Sequence, residues 1–332
     1  MKLNRNSKIF INYFLGPLLF LWLAWSIYRQ IMHQPDLGKA WQHINDSINS
    51  IQLWNLVIVL VLMICNWSIE AIKWKICVKW IQPVSFLKAF RAIFSGVAFS
   101  VSTPNRVGEY VGRVLYIKEG NRLRTISLTI VGSMSQLIIT LLMGCIGLAI
   151  LFSRIVTKNL VSPVWLLVIV YGSLGALFVL TLIYFRLNWL TKWISRIPQI
   201  SKYAYLIKVL ENFNATMLFK LLSLSALRFL VFTLQYYLLF RLFDVQLMWW
   251  QAFWAVSVLF LVLAVIPTFA IAELGLRGEI GLTVVGLFST NGLGIWITTI
   301  TIWFINLIIP AIIGSLLIFS IKKIFSNKYE RT

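Results

Sequence analysis

Six stretches of this chain run apolar for about twenty residues or more, at 9–28, 53–72, 125–152, 161–185, 217–240 and 293–320. A lipid core offers no water to backbone N–H and C=O groups. Such segments therefore cross as helices, which close their hydrogen bonds internally. Composition agrees. The chain is 60% hydrophobic and 12% charged, against about 25% charged residues in soluble domains. The expected fold class is an all-α integral membrane protein, one domain over residues 1–332. The basic start, Met1–Lys8, leads into the first apolar run as a secretory leader would. No small-residue cleavage site follows, so that run is read as a retained first span.

Two further apolar segments, about 86–104 and 249–267, end at Pro104 and Pro267. Whether they cross or turn back is decided by Lys and Arg, which collect in cytoplasmic loops. If both turn back, with the N-terminus inside, 22 basic residues lie inside and 6 outside, and Lys220 and Arg228 lie within a span. If both cross, the division is 15 against 13 and the bias vanishes. The reading is therefore six transmembrane helices plus two re-entrant hairpins, with both termini cytoplasmic in an inner (cell) membrane. Each half, about 1–155 and 156–332, becomes span, span, hairpin, span. Three crossings per half invert the second half, which makes an inverted-topology repeat with the binding site between halves. Non-helical backbone at membrane depth must be buried in protein or line a watery cavity, so the hairpin tips should meet inside the bundle.

The two hairpins end alike. Pro104 is followed by Arg106, Gly108, Glu109 and Arg113, and Pro267 by Glu273, Gly275 and Arg277. Of ten acidic residues, only Glu109 and Glu273 have Lys or Arg at i+4, the favourable order for a helical pair. A proline breaks one helix, and the next begins with free N–H groups and a positive dipole end, where an anionic headgroup docks well. Two readings of the pairs stand: a substrate site, or self-neutralisation at the hairpin ends. Arg106 is the most exposed candidate phosphate ligand. Gly108 and Gly275 suit close backbone approach or small-residue packing. Arg228, midway along 217–240, needs a partner, for which Glu273, Glu279 or a lipid phosphate are candidates. Gln235 suits an interhelical hydrogen bond. Glu70 is read as an interfacial pair with Lys73. The basic, Trp-containing stretch 186–216 suits an amphipathic helix on the inner leaflet, and Trp54, Trp74, Trp249 and Trp250 suit headgroup anchors.

Other chemistries lack their residues. Cys65, Cys77 and Cys145 show no C-x-x-C spacing, and His33 and His43 share one hydrophilic loop, so no metal site is expected. Asp36, Asp46 and Asp244 are the only aspartates, and no nucleotide loop or carboxylate cluster is present. No cofactor is expected. The net charge of +20 lies between spans and not on a soluble face, so nucleic acid is not an expected partner.

The run Thr103, Pro104, Asn105, Arg106, Val107, Gly108, Glu109, with Arg113 following, resembles the first signature of the lysylphosphatidylglycerol synthase/flippase membrane-domain family. So does the basic-Trp-basic ending Lys73, Trp74, Lys75. Pro267 through Glu273 matches the second, a proline followed shortly by a glutamate. Thr268 to Ala272 replaces the glycine-rich stretch expected there. The resemblance implies a multi-span domain that moves an anionic or aminoacylated lipid between leaflets. The soluble aminoacyl-transfer domain of full-length synthases is not in this sequence, so lysine transfer is not expected. The expected function is a lipid flippase-like transporter, not an enzyme. Its substrate would be a membrane phospholipid or lipid-linked anion, passing Arg106, Glu109, Arg113, Arg228, Glu273 and Arg277. A separate lipid-modifying enzyme is a candidate partner, and no oligomeric state follows. The rivals are a membrane-embedded transferase acting on lipid-linked sugars and a non-catalytic partner of an envelope-lipid enzyme. The topology is directly testable. Cysteines at Trp80 and Gly120 should both be protected from impermeant maleimide outside intact cells, and labelling at position 120 would refute the inverted arrangement.

Overall fold

The computed structural model describes residues 53–101, 103, 106–195, 204–266 and 270–318, with Trp25 and Gln42 besides. The span expected at 9–28, both chain ends, Pro104 and Pro267 lie outside these residues. Every regular element among the described residues is helical: α1 (Leu53–Val78), α2 (Phe86–Ser100), α3 (Gly108–Val114), α4 (Arg122–Thr157), α5 (Pro163–Phe185), α6 (Leu187–Ser195), α7 (Ala204–Ile207), α8 (Ala215–Leu242), α9 (Trp249–Val265), α10 (Ala270–Val285) and α11 (Gly292–Ile318). Among them α1, α4, α5, α8 and α11 are long and apolar enough to cross a membrane.

Local chemistry sets the starts. Ser85 Oγ accepts the Lys88 N–H at 3.3 Å, Asn214 Oδ1 accepts the Met217 N–H at 2.9 Å, and Asn291 Oδ1 accepts the Gly294 N–H at 2.9 Å. Each satisfies an orphan donor of a first turn. Ser162 caps α5, with Pro163 at the first helical position, where its missing N–H costs nothing. Several elements outrun their sequence bounds. The segment expected at 53–72 continues to Val78, and α4 has 36 residues, about 54 Å at 1.5 Å per residue. Helices α2 and α9 have 15 and 17 residues, about 22 and 26 Å, short of a hydrocarbon core about 30 Å thick.

The core forms where α9 packs along α4, α8 along α1, α2 against α3 and α9 against α10. Helix α5 stands at the periphery, with 11% of its most apolar window buried. Gln235 Nε2 donates to the Val59 carbonyl oxygen at 2.9 Å and ties α8 to α1, the interhelical bond expected of it. Trp54, Trp249 and Trp250 are exposed. Trp74 is not: it is buried, and its indole N–H donates to Thr129 Oγ1 at 3.1 Å. The reason is that α1 continues past residue 72 and carries Trp74 into the core.

The glycines that read alike differ in place. A Cβ on Gly108 would lie 2.2 Å from the Phe99 carbonyl oxygen, and one on Gly112 2.4 Å from that of Ser95. The turn from α2 to α3 therefore closes on backbone, and no side chain fits. Gly275 is the correction: a Cβ there meets nothing within 4 Å, so it serves no close approach. Gly112→Ala should lower stability in detergent by about 1–3 kcal/mol through overpacking. Gly275→Ala should be neutral or stabilising by up to about 1 kcal/mol through helix propensity. Equal melting temperatures for the two variants would contradict this packing.

Candidate functional site

Helix α1 carries Asn66, Glu70 and Lys73 at i, i+4 and i+7, a polar stripe along an apolar helix. All three are buried. Glu70 is the hub. Lys73 Nζ lies 3.0 Å from Glu70 Oε2, Arg113 Nη1 donates to Oε1 at 3.1 Å, and Arg228 Nη1 donates to Oε2. Arg228 Nε donates to Asn66 Oδ1 at 2.8 Å, and its guanidinium lies 5.5 Å from the centre of the Trp67 ring. Arg113 Nη2 also donates to Glu109 Oε2 at 2.7 Å, so it bridges two carboxylates.

A second group gathers on Glu273. Arg277 Nε donates to its Oε1 at 2.9 Å, and Arg106 Nη2 donates to both carboxylate oxygens at 3.0 Å each. Arg277 Nη1 also donates to Tyr236 Oη on α8 at 3.1 Å. Arg106, beside the start of α3, thus reaches a residue 167 positions away on α10. Its backbone has φ of 57°, a left-handed conformation uncommon outside glycine. Its side chain is 37% exposed, against 4% for Arg113, 10% for Arg228 and 14% for Arg277. Arg106 is thus the most exposed of the four candidate arginines, as expected.

Both groups line one cavity of about 630 Å³. Its charged lining is Lys73, Arg106, Arg113, Arg228 and Arg277 against Glu70, Glu109 and Glu273, a net of two positive charges. Apolar side chains form much of the rest, among them Leu137, Phe229, Phe232, Phe260, Leu263 and Val265. A net positive, partly apolar chamber among membrane-length helices suits a ligand with an anionic head and a hydrocarbon body.

All six charged residues singled out in the sequence come together here. Of the four hairpin-break residues, Gly108 closes the α2–α3 turn, Gly275 lies exposed on α10 away from close packing, and Pro104 and Pro267 fall outside the described residues. Two expectations are corrected. Arg228 pairs with Glu70, not with Glu273 or Glu279; Glu279 is exposed on α10. Glu70 does pair with Lys73, but within the core and not at an interface, because α1 extends to Val78. Lys73 is accordingly no loop charge. Its Nζ also donates to Ser225 Oγ at 3.2 Å. The i, i+4, i+7 spacing of Asn66, Glu70 and Lys73 is the sequence signal that marks them. No group of three or more His, Cys, Asp or Glu suited to a metal ion occurs among the described residues.

Removing Glu70 leaves three buried cations without their shared carboxylate. Glu70→Gln should therefore cost about 3–5 kcal/mol. Arg228→Gln should cost less, about 1.5–3 kcal/mol, because Glu70 keeps Lys73 and Arg113. Thermal unfolding in detergent checks the order, and an Arg228→Gln protein less stable than Glu70→Gln would refute the hub.

A protein-family model described as the lysylphosphatidylglycerol synthase TM region matches residues 13–322 of the chain. No curated protein sequence matches it.

Proposed function

Because the chain belongs to the lysylphosphatidylglycerol synthase TM region family, we propose that it moves an anionic or aminoacylated phospholipid, or another lipid-linked anion, between membrane leaflets. The observation that carries this reading is the cavity itself, with five basic and three acidic side chains on a partly apolar wall. Arginines grip a phosphate as planar forks. Glutamates keep the empty chamber from holding five uncompensated cations and offer acceptors to a cationic headgroup. An isolated charge at bilayer depth is costly, so a surplus of two positive charges favours an anion in the chamber.

The same reading takes α2–α3 and α9–α10 as re-entrant hairpins of an inverted repeat. Their short first arms and the Arg106–Glu273 bridge between them support it. Helix α6 supports an inner-leaflet surface position for its segment. Leu187 and Thr191 are buried, while Trp189 and Trp193, four residues apart, are exposed. The chain acts on this reading as a transporter and not as an enzyme, in the inner membrane with cytoplasmic termini. A separate enzyme would make or consume the lipid.

Reconstitution into vesicles with a fluorescent anionic phospholipid tests it, with dithionite quenching of the outer leaflet as the readout. Wild-type protein should speed translocation over protein-free vesicles. Exchanging Glu109 and Arg113 should abolish that gain, because the phosphate donor moves and its bond to Glu70 is lost with it. Arg277→Lys should lower it about tenfold, since lysine keeps the charge but loses the fork. Full activity in the exchanged protein would refute a substrate role for Arg113.

A further inference from the structure

We propose that Lys73 is a proton-carrying residue: it takes up a proton when an anion enters the chamber and gives it up when the anion leaves, so that one proton travels with each lipid. The inference rests on the transport reading above and supplies its driving force.

Lys73 is buried, at 1% exposure, and lines the cavity. The charged and titratable groups around it are Glu70 and Cys77 on its own helix, Arg113 on α3 and Arg228 on α8. Helix α4 presents the hydroxyl of Ser135, and Gly132, where a Cβ would lie 3.8 Å from Lys73 Cε. The buried face of α2 and the π-helical segment Phe304–Ile308 carry no charged residue. Three cations thus share Glu70. Two of them are guanidinium groups, which keep their protons in proteins. Lysine is the cation that can release one when buried.

The hydrogen-bond partners of Lys73 suit both of its states. Nζ donates to Ser225 Oγ at 3.2 Å. Ser225 Oγ lies 2.8 Å from Ser135 Oγ, in a bond that either hydroxyl can donate, and Ser135 Oγ donates to the Gly132 carbonyl oxygen at 2.7 Å. Both serines are fully buried. In the charged state the donors run from the ammonium to Ser225, then to Ser135, then to the carbonyl. Without its proton the nitrogen becomes an acceptor. The hydroxyls then reverse, Ser135 donating to Ser225 and Ser225 to the amine. A carbonyl in place of the Ser225 hydroxyl would serve the ammonium alone.

Charge counting gives the coupling. The lining carries two net positive charges with Lys73 protonated and one without. A monoanionic phospholipid in the protonated chamber leaves one, as in the empty, deprotonated chamber. Loaded and empty proteins therefore reorient with equal charge. A nearby anion favours the ammonium by Coulomb attraction, and its departure favours release. Only an N–H bond of Lys73 forms and breaks, and the proton exchanges with water on the side to which the chamber opens.

Vesicles containing the full chain and a trace of fluorescent phosphatidylglycerol test this, with the lumen about one pH unit more acidic than the outside. One proton per lipid predicts an outer-to-inner leaflet ratio of about ten at steady state, read from the fast phase of dithionite quenching. A potassium potential set with valinomycin should leave that ratio unchanged. Lys73→Arg holds its charge permanently, so its ratio should fall to about one and respond to the potential instead. Ser225→Ala tests the same step with a smaller change. Without the hydroxyl that serves the amine, the ratio should build up about tenfold more slowly. Exchange of labelled lipid at equal pH needs no proton release and should keep the wild-type rate. A wild-type ratio near one, a wild-type ratio moved by the potential, or a wild-type ratio in Lys73→Arg would overturn the proposal and leave the transport reading standing. So would equal slowing of exchange and build-up in Ser225→Ala. Lipid that crosses no faster than in protein-free vesicles would overturn the transport reading, and this inference with it.

Discussion

One buried carboxylate holds the centre of this protein together. Glu70 on α1 accepts from Arg113 on α3 and from Arg228 on α8, and also pairs with Lys73 one turn along its own helix. In lipid no apolar driving force pulls helices together, so packing and polar contacts set their arrangement. A carboxylate shared by three cations fixes the rotation of α1 and α8 about their own axes, because each charge must face the others. The cavity exists where those faces meet. Its positive surplus is the remainder after Glu70, Glu109 and Glu273 have been counted against five cations.

Packing and charge are set by different residues. Glycines at 108 and 112 let α3 lie against α2 at backbone distance, and this puts Glu109 and Arg113 at the chamber wall. Gln235 anchors α8 to α1 through a main-chain carbonyl, seven residues along from Arg228. The ionic groups are therefore held by a frame that does not itself carry charge. Substitutions in the frame and in the ionic groups should consequently differ in kind, the former moving the site and the latter changing what it attracts.

Much of this was legible in the chain. Apolar length marked every long helix described here, because lipid leaves helices as the only open-chain solution. The pairs Glu109 with Arg113 and Glu273 with Arg277 were legible because one helical turn brings i and i+4 together, and both form. What remained hidden depends on tertiary placement. Lys73 and Lys75 look like charges closing a span, yet α1 runs on to Val78, so Glu70 and Lys73 are core residues. The partner of Arg228 lies 158 positions away, and no local spacing reports it. Gly108 and Gly275 occupy like places in two similar runs, but only the former has backbone against it.

The way Arg106 holds Glu273 has a consequence for the order of events in the chamber. A single nitrogen, Nη2, serves both carboxylate oxygens, whereas a fork-to-fork pair would commit two. The bridge uses neither Nε nor Nη1, on a side chain that is more than one-third exposed. On the proposed reading, an incoming anion engages Nη1 while the bridge is still closed. On that reading capture comes before release, and the first contact carries no penalty for separating the two stretches of chain that the bridge joins.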